Sequence, residues 1–229
     1  MLTKTTTALL RRARTNVLQV ARRSFATHDD FEEDETLYEI RTYQLKPEHL
    51  MDYLALTGSE AFHPRTDASK LCAFFNVEMG SVLCNSVVHF WKYDSLDHRT
   101  EVRASLASDE GFGNYINTIR PWLVSQEAVL TRGFLDEDFI EKAAAGTGKY
   151  MLQSFATDEE EDDEDDDEDE DEEPVAEEVG AFDTVIGDTT TSYKLVRGPT
   201  FQHLLDFSDT TLDVHDSVLL VPTPFSPAQ

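Results

Sequence analysis

Apolar and polar positions alternate from Leu37 to Leu45, with Tyr38, Ile40 and Thr42 on one face and Glu39, Arg41 and Tyr43 on the other. That period of two, in β-prone residues, predicts a strand. Lys46-Pro47 ends it, and Pro47 suits the first turn of a helix. Leu50, Tyr53, Leu54 and Ala61 then recur at helical spacing, and Pro64 is expected to close that helix. Leu71 to Met79 reads as a second strand bounded by Gly80, and Asn85 to Tyr93 as a third. In the third strand Val87, His89 and Trp91 oppose Val88 and Phe90. Asp94 or Ser95 supplies an oxygen for the free amides of the next helix. Leu96, Arg99, Val102, Arg103 and Leu106 give that helix its amphipathic pattern. Gly111 and Gly113 break the pattern, so only a short helical turn is expected before Pro121. Trp122 to Thr131 reads as a fourth strand.

The order β-α-β-β-α-β over residues 36–135 predicts a ferredoxin-like unit, one sheet with both helices on one face. A weak repeat follows a linker at 136–148. Tyr150 to Phe155 echoes Tyr38 to Tyr43, and Val179 to Phe182 with Ile186-Gly187 echoes Cys72 to Phe75 with Met79-Gly80. Thr189 to Val196 alternates like a strand, Pro199 to Phe207 reads as a short helix, and Asp216 to Val221 echoes Glu127 to Thr131. The fold class is therefore α+β: tandem ferredoxin-like units, the second (149–229) abridged, placed sheet to sheet to form an α/β barrel. Either an internal pseudo-dimer or a homodimer buries the open face.

Charge refines this picture. The formal net charge is -27, and it is unevenly spread. Residues 158–173 are an unbroken run of sixteen Asp and Glu, whose mutual repulsion opposes any packed helix. The stretch 158–178 is expected to be a disordered acidic loop. Residues 1–25 carry six Lys or Arg and no acid. Removing those six cations and the sixteen acids of the run from -27 leaves -17 on the remainder. So acidic a body repels phosphate backbones, which argues against a nucleic-acid partner. Protein partners fit better, including basic clients drawn to the acidic run.

Residues 1–25 place Leu9, Leu10, Val17, Leu18 and Val20 opposite several arginines. An amphipathic, Arg-rich, acid-poor leader is the pattern of a mitochondrial transit peptide, and the matrix is the expected compartment. Residues 26–35 form an acidic lead-in. No run of eighteen apolar residues suggests a membrane-spanning helix, and peripheral membrane association stays open. Cys72 and Cys84 have neither metal-ligand spacing nor a disulfide framework. Gly146-Thr147-Gly148-Lys149 lacks the spacing of a phosphate loop.

Three blocks then carry a specific likeness: Tyr38-Glu39-Ile40-Arg41-Thr42-Tyr43-Gln44-Leu45-Lys46-Pro47; Asn85 to Leu96, with Arg99 and Arg103; and Arg120-Pro121 with Ser125 and Glu127. Together they resemble the NIPSNAP domain. Glu48 stands where that family usually has Gly, and the loop from Gly80 to Asn85 is longer than usual. The resemblance implies a dimeric α/β-barrel type of fold, mitochondrial residence and an adaptor role, with some relatives recruiting autophagy machinery to damaged organelles. It brings no catalytic residues with it.

The candidate site residues are Glu39, Arg41, His89 and Glu127, which are expected to meet inside the barrel. One guanidinium, two carboxylates and an imidazole are site-like, but a buried Arg–Glu pair neutralises itself without any substrate. His89 beside Trp91 is also a candidate haem or metal ligand, although no second histidine sits at ligand spacing. No catalytic residue, metal or cofactor is assigned. The expected function is a non-enzymatic mitochondrial adaptor or scaffold. The alternative is a small-molecule or haem-binding barrel protein resembling monooxygenases.

Overall fold

A computed structural model describes residues 36–80, 84–136, 148–157, 176–207 and 214–228. The leader, the lead-in, most of the linker and the acidic run lie outside the described residues. Eight strands close into an antiparallel barrel: β1 (Leu37–Leu45), β2 (Lys70–Met79), β3 (Ser86–Tyr93), β4 (Leu123–Leu135), β5 (Lys149–Ala156), β6 (Glu177–Ile186), β7 (Thr191–Gly198) and β8 (Val214–Pro222). Around the barrel their order is β1-β3-β2-β8-β5-β7-β6-β4. The helices are α1 (Leu50–Thr57), α2 (His63–Ala68), α3 (Leu96–Ser108), α4 (Glu110–Ile119) and α5 (Phe201–Phe207).

Local chemistry explains the first-half helices. Pro47 opens a single 3-10 turn ahead of α1. The Ser95 side chain caps α3 by accepting from the His98 amide. Asp109 caps α4 in the same way, accepting from the Phe112 amide at 2.6 Å. Two expectations are corrected here. Pro64 begins α2 rather than ending a longer helix, because a first-turn amide has no intrahelical partner and its loss costs little. Helix α4 runs through Gly111 and Gly113, since its cap and the burial of Tyr115 and Ile119 outweigh two weak helix formers.

The strands also depart from expectation in two places. β4 extends to Leu135, four residues past Thr131. The acidic loop ends earlier than 178, because Glu177 and Glu178 already belong to β6.

The two halves do not stack as separate sheets; they join edge to edge. Phe75–Met79 of β2 pair with Leu219–Pro222 of β8, and Leu130–Leu135 of β4 pair with Gly180–Ile186 of β6. Most of the barrel interior is apolar and aromatic, with Tyr38, Phe75, Phe90, Tyr150, Phe182 and Leu195 all buried. Aromatic contacts cross between the halves: Tyr38 to Phe182 at 5.3 Å, and Phe75 to Tyr150 at 4.7 Å between ring centres. A second core lies outside the barrel, between the first-half strands and α1–α4, around Tyr53, Phe62, Phe74, Trp91 and Tyr115. A smaller one sits under α5 around Leu204 and Val196.

Candidate functional site

Alternation along β1 sends Tyr38 and Ile40 into the barrel and Glu39, Arg41 and Tyr43 outward, under the helices. His89 lies opposite Arg41 in the β1–β3 ladder and opposite Phe74 in the β2–β3 ladder, so all three share the outward face. The expectation that Glu39, Arg41 and His89 line the barrel interior is therefore corrected. Both faces of β1 and β3 are buried, and the helices claim the one that bears the charges. Glu127 is separated from them. It pairs with Thr42, one position out of phase with Arg41, and lies on the barrel side of the sheet.

Glu39 is the hub of the outward cluster and is 2% exposed. Its Oε1 accepts from Arg41 Nη1 at 3.0 Å and from Arg99 Nη2 at 2.7 Å. Its Oε2 accepts from the Tyr93 hydroxyl at 3.0 Å. Tyr93 in turn accepts from Arg65 Nη2 at 2.7 Å, and Arg65 also donates to Ser69 Oγ. The Arg65 guanidinium lies 3.4 Å over the Trp91 ring. Arg41 donates its Nε proton to the Tyr43 hydroxyl at 3.1 Å.

Burial alone raises the Glu39 pKa, but the Arg99 bond and the charges of Arg41 and Arg99 outweigh it and hold the carboxyl below its usual range. Burial pushes the Arg65 pKa down, although the guanidinium remains protonated at neutral pH. The His89 pKa lies well below that of a free histidine, first through burial and then through Arg41 and Arg65. The neutral ring stacks on Phe74 at 4.7 Å and meets the Tyr43 ring edge-on at 4.9 Å. Its Nδ1 accepts the Trp91 indole proton at 2.5 Å, which places the ring proton on Nε2.

Sequence reasoning did not assign Arg65, Tyr93 or Arg99 to a site. Arg99 did carry a signal: a cation three residues before Val102 and seven before Leu106, the two apolar positions of α3 that pack into the core beneath the helices. Arg65 and Tyr93 carried none, since only the fold brings them together.

On the barrel side of the sheet, the exposed Glu127 and the half-buried Thr42, Ser154, Tyr193 and Asp216 line the polar part of a cavity of about 170 Å³ that is partly open to solvent. Among the described residues no group of three or more His, Cys, Asp or Glu could hold a metal ion.

The outward cluster falls within a stretch that has known relatives. The NIPSNAP family model matches residues 38–132. Protein NipSnap homolog 3A of Homo sapiens is 44% identical over 77 residues. Through this domain the chain belongs to the NIPSNAP family. The human alignment covers 34% of this chain and 30% of that relative's length, so the match spans about a third of each. A solved, uncharacterised NIPSNAP domain protein from Burkholderia xenovorans is 31% identical. It aligns with 41% of this chain and 90% of its own, at a TM-score of 0.39. A putative monooxygenase from Lactobacillus acidophilus aligns with 85% of this chain and 99% of its own, at 7% identity and a TM-score of 0.48. Glu39, Arg41, His89, Arg65, Tyr93 and Arg99 all lie within the NIPSNAP stretch, and β5 to β8 lie beyond it.

Proposed function

We propose that this NIPSNAP-family protein is a non-enzymatic mitochondrial adaptor or scaffold that works through protein–protein contacts. One observation supports this above others: most of the barrel interior is filled by its own aromatic and aliphatic side chains. The cavity that Thr42, Glu127 and Asp216 help to line, about 170 Å³, falls below the roughly 300–1,000 Å³ of ordinary small-molecule sites. The haem-ligand reading of His89 fits poorly with a ring buried between Phe74 and Tyr43 on the outward face of the sheet, away from the barrel-side cavity. The equivalent strand order of the two halves supports reading them as tandem ferredoxin-like units, an internal pseudo-dimer with an abridged second member. The Arg-rich, acid-free leader supports mitochondrial import, with the matrix as the destination, and the run at 158–173 supports attraction of basic protein clients. The test is affinity purification from intact mitochondria, comparing the full chain with a deletion of 158–173. A partner recovered in stoichiometric amount with the full chain is expected, and its loss on deletion would locate the contact. Recovery of the protein alone, at its native size, overturns the adaptor reading.

A further inference from the structure

We infer that Arg41, Arg65 and Arg99 form a binding site for a small dianion of the phosphate-monoester class. Three guanidinium groups converge here, and Glu39 is the one carboxylate within ion-pair distance of any of them among the described residues. The cluster therefore keeps an excess of two positive charges. Arg65 is the sharpest case. It is 8% exposed, and its contacts are two hydroxyl groups and an aromatic face rather than an anion. Its one nearby counter-charge, Glu39, lies beyond the Tyr93 hydroxyl and is shared with Arg41 and Arg99, so the cost of burying this guanidinium is only partly offset and a bound anion would offset more of it.

Unmet hydrogen bonds point the same way. His89 Nε2 and Arg99 Nε are both buried without a partner. With Nδ1 of His89 accepting from Trp91, Nε2 bears the proton, so both unmet groups are donors. A ligand offering only acceptors and carrying negative charge would answer either deficit. A phosphate monoester brings about -1.5 to -2 charges near pH 7 and three strong acceptor oxygens, close to the excess on the cluster. Arginine forks suit phosphate oxygens. Glu39 does not bar the way, because both its oxygens are engaged from within the cluster. The Arg41 and Arg99 side chains keep 16% and 23% of their surface, so the anion would approach between β1 and α3.

Anion binding here is independent of the adaptor role, and a failed titration leaves the partner experiment untouched. The probes are inorganic phosphate and phenyl phosphate, titrated into the purified full chain by calorimetry and by thermal shift. Chloride and acetate at matched ionic strength serve as comparisons. Phosphate is expected to raise the melting temperature by several degrees beyond chloride and acetate. Arg99→Gln should weaken phosphate binding at least about tenfold, while Arg103→Gln, exposed on the same helix, leaves it unchanged. Equal responses to phosphate and chloride in the wild-type chain overturn the proposal, and that comparison requires no variant to fold. Acetate binding as tightly as phosphate overturns the dianion assignment. So does an Arg99→Gln chain, folded by circular dichroism, that binds phosphate like wild type.

Discussion

Glu39 concentrates more of the first half's electrostatics than any other side chain, since three elements meet on its two oxygens. Glu39→Gln keeps the shape but removes the only counter-charge that the described residues offer to three guanidinium groups. Breaking a buried pair in this way costs about 3–5 kcal/mol, and the partial exposure of Arg41 and Arg99 places the loss near the lower end. The pH dependence follows from the direction of the shift. A carboxyl whose folded pKa is depressed contributes stability above its unfolded pKa, about 4.3 for Glu, and loses it as pH falls through the folded value. His89, also depressed, acts in the same sense, its loss beginning below about 6.5. Urea titrations from pH 7 to pH 3 should therefore show wild-type stability converging on that of Glu39→Gln only below about pH 4.3. A constant gap across that range would mean that the Glu39 charge contributes nothing.

At the scale of elements, β4 shows most clearly what the sequence could and could not say. Its alternating part up to Thr131 was legible, but Arg132-Gly133 reads as the end of a strand. The chain nevertheless continues to Leu135, because Gly133 adopts φ +156° where β6 crosses closely. A Cβ there would stand 2.0 Å from the Ala181 carbonyl oxygen. Gly133→Ala should therefore open the β4–β6 seam and cost about 3 kcal/mol, the upper end of ordinary overpacking. Gly113 is the internal contrast. It lies within α4, and a Cβ added there would meet nothing within 4 Å, so Gly113→Ala should stabilise by about 0.5–1 kcal/mol. Chemical denaturation of the two variants checks both signs, and a Gly133→Ala chain as stable as wild type would refute the seam argument. The same limit explains the misplaced site. Period two showed that Glu39 and Arg41 share a face. It could not show which face, because Val87 and Trp91 on one side of β3 are as apolar as Val88 and Phe90 on the other. Only the helices, long-range partners invisible to local pattern, decide it.

For the whole molecule, the joints between halves matter more than either half. Residues 36–136 contain four strands in the order β4-β1-β3-β2, and both outer edges, β4 and β2, are taken by strands of the second half. Their inner face presents Tyr38, Ile40, Phe75, Val88 and Phe90 to the opposite wall. A fragment ending at residue 136 would expose those edges and that face together, which favours strand-to-strand association. The geometry offers one closed solution. The strands that β2 and β4 pair with, β8 and β6, are the fourth and second of their own half. Two copies of the fragment could therefore set β2 of each against β4 of the other and rebuild an eight-stranded ring with two-fold symmetry. Analytical ultracentrifugation of residues 36–136 should accordingly give a dimer, or larger aggregates if the rebuilt seams are imperfect, and the apolar inner face should make it resistant to dilution. A monomer with native-like near-ultraviolet circular dichroism would show that the first half holds its core without a second sheet, and that β5 to β8 were not needed to close it.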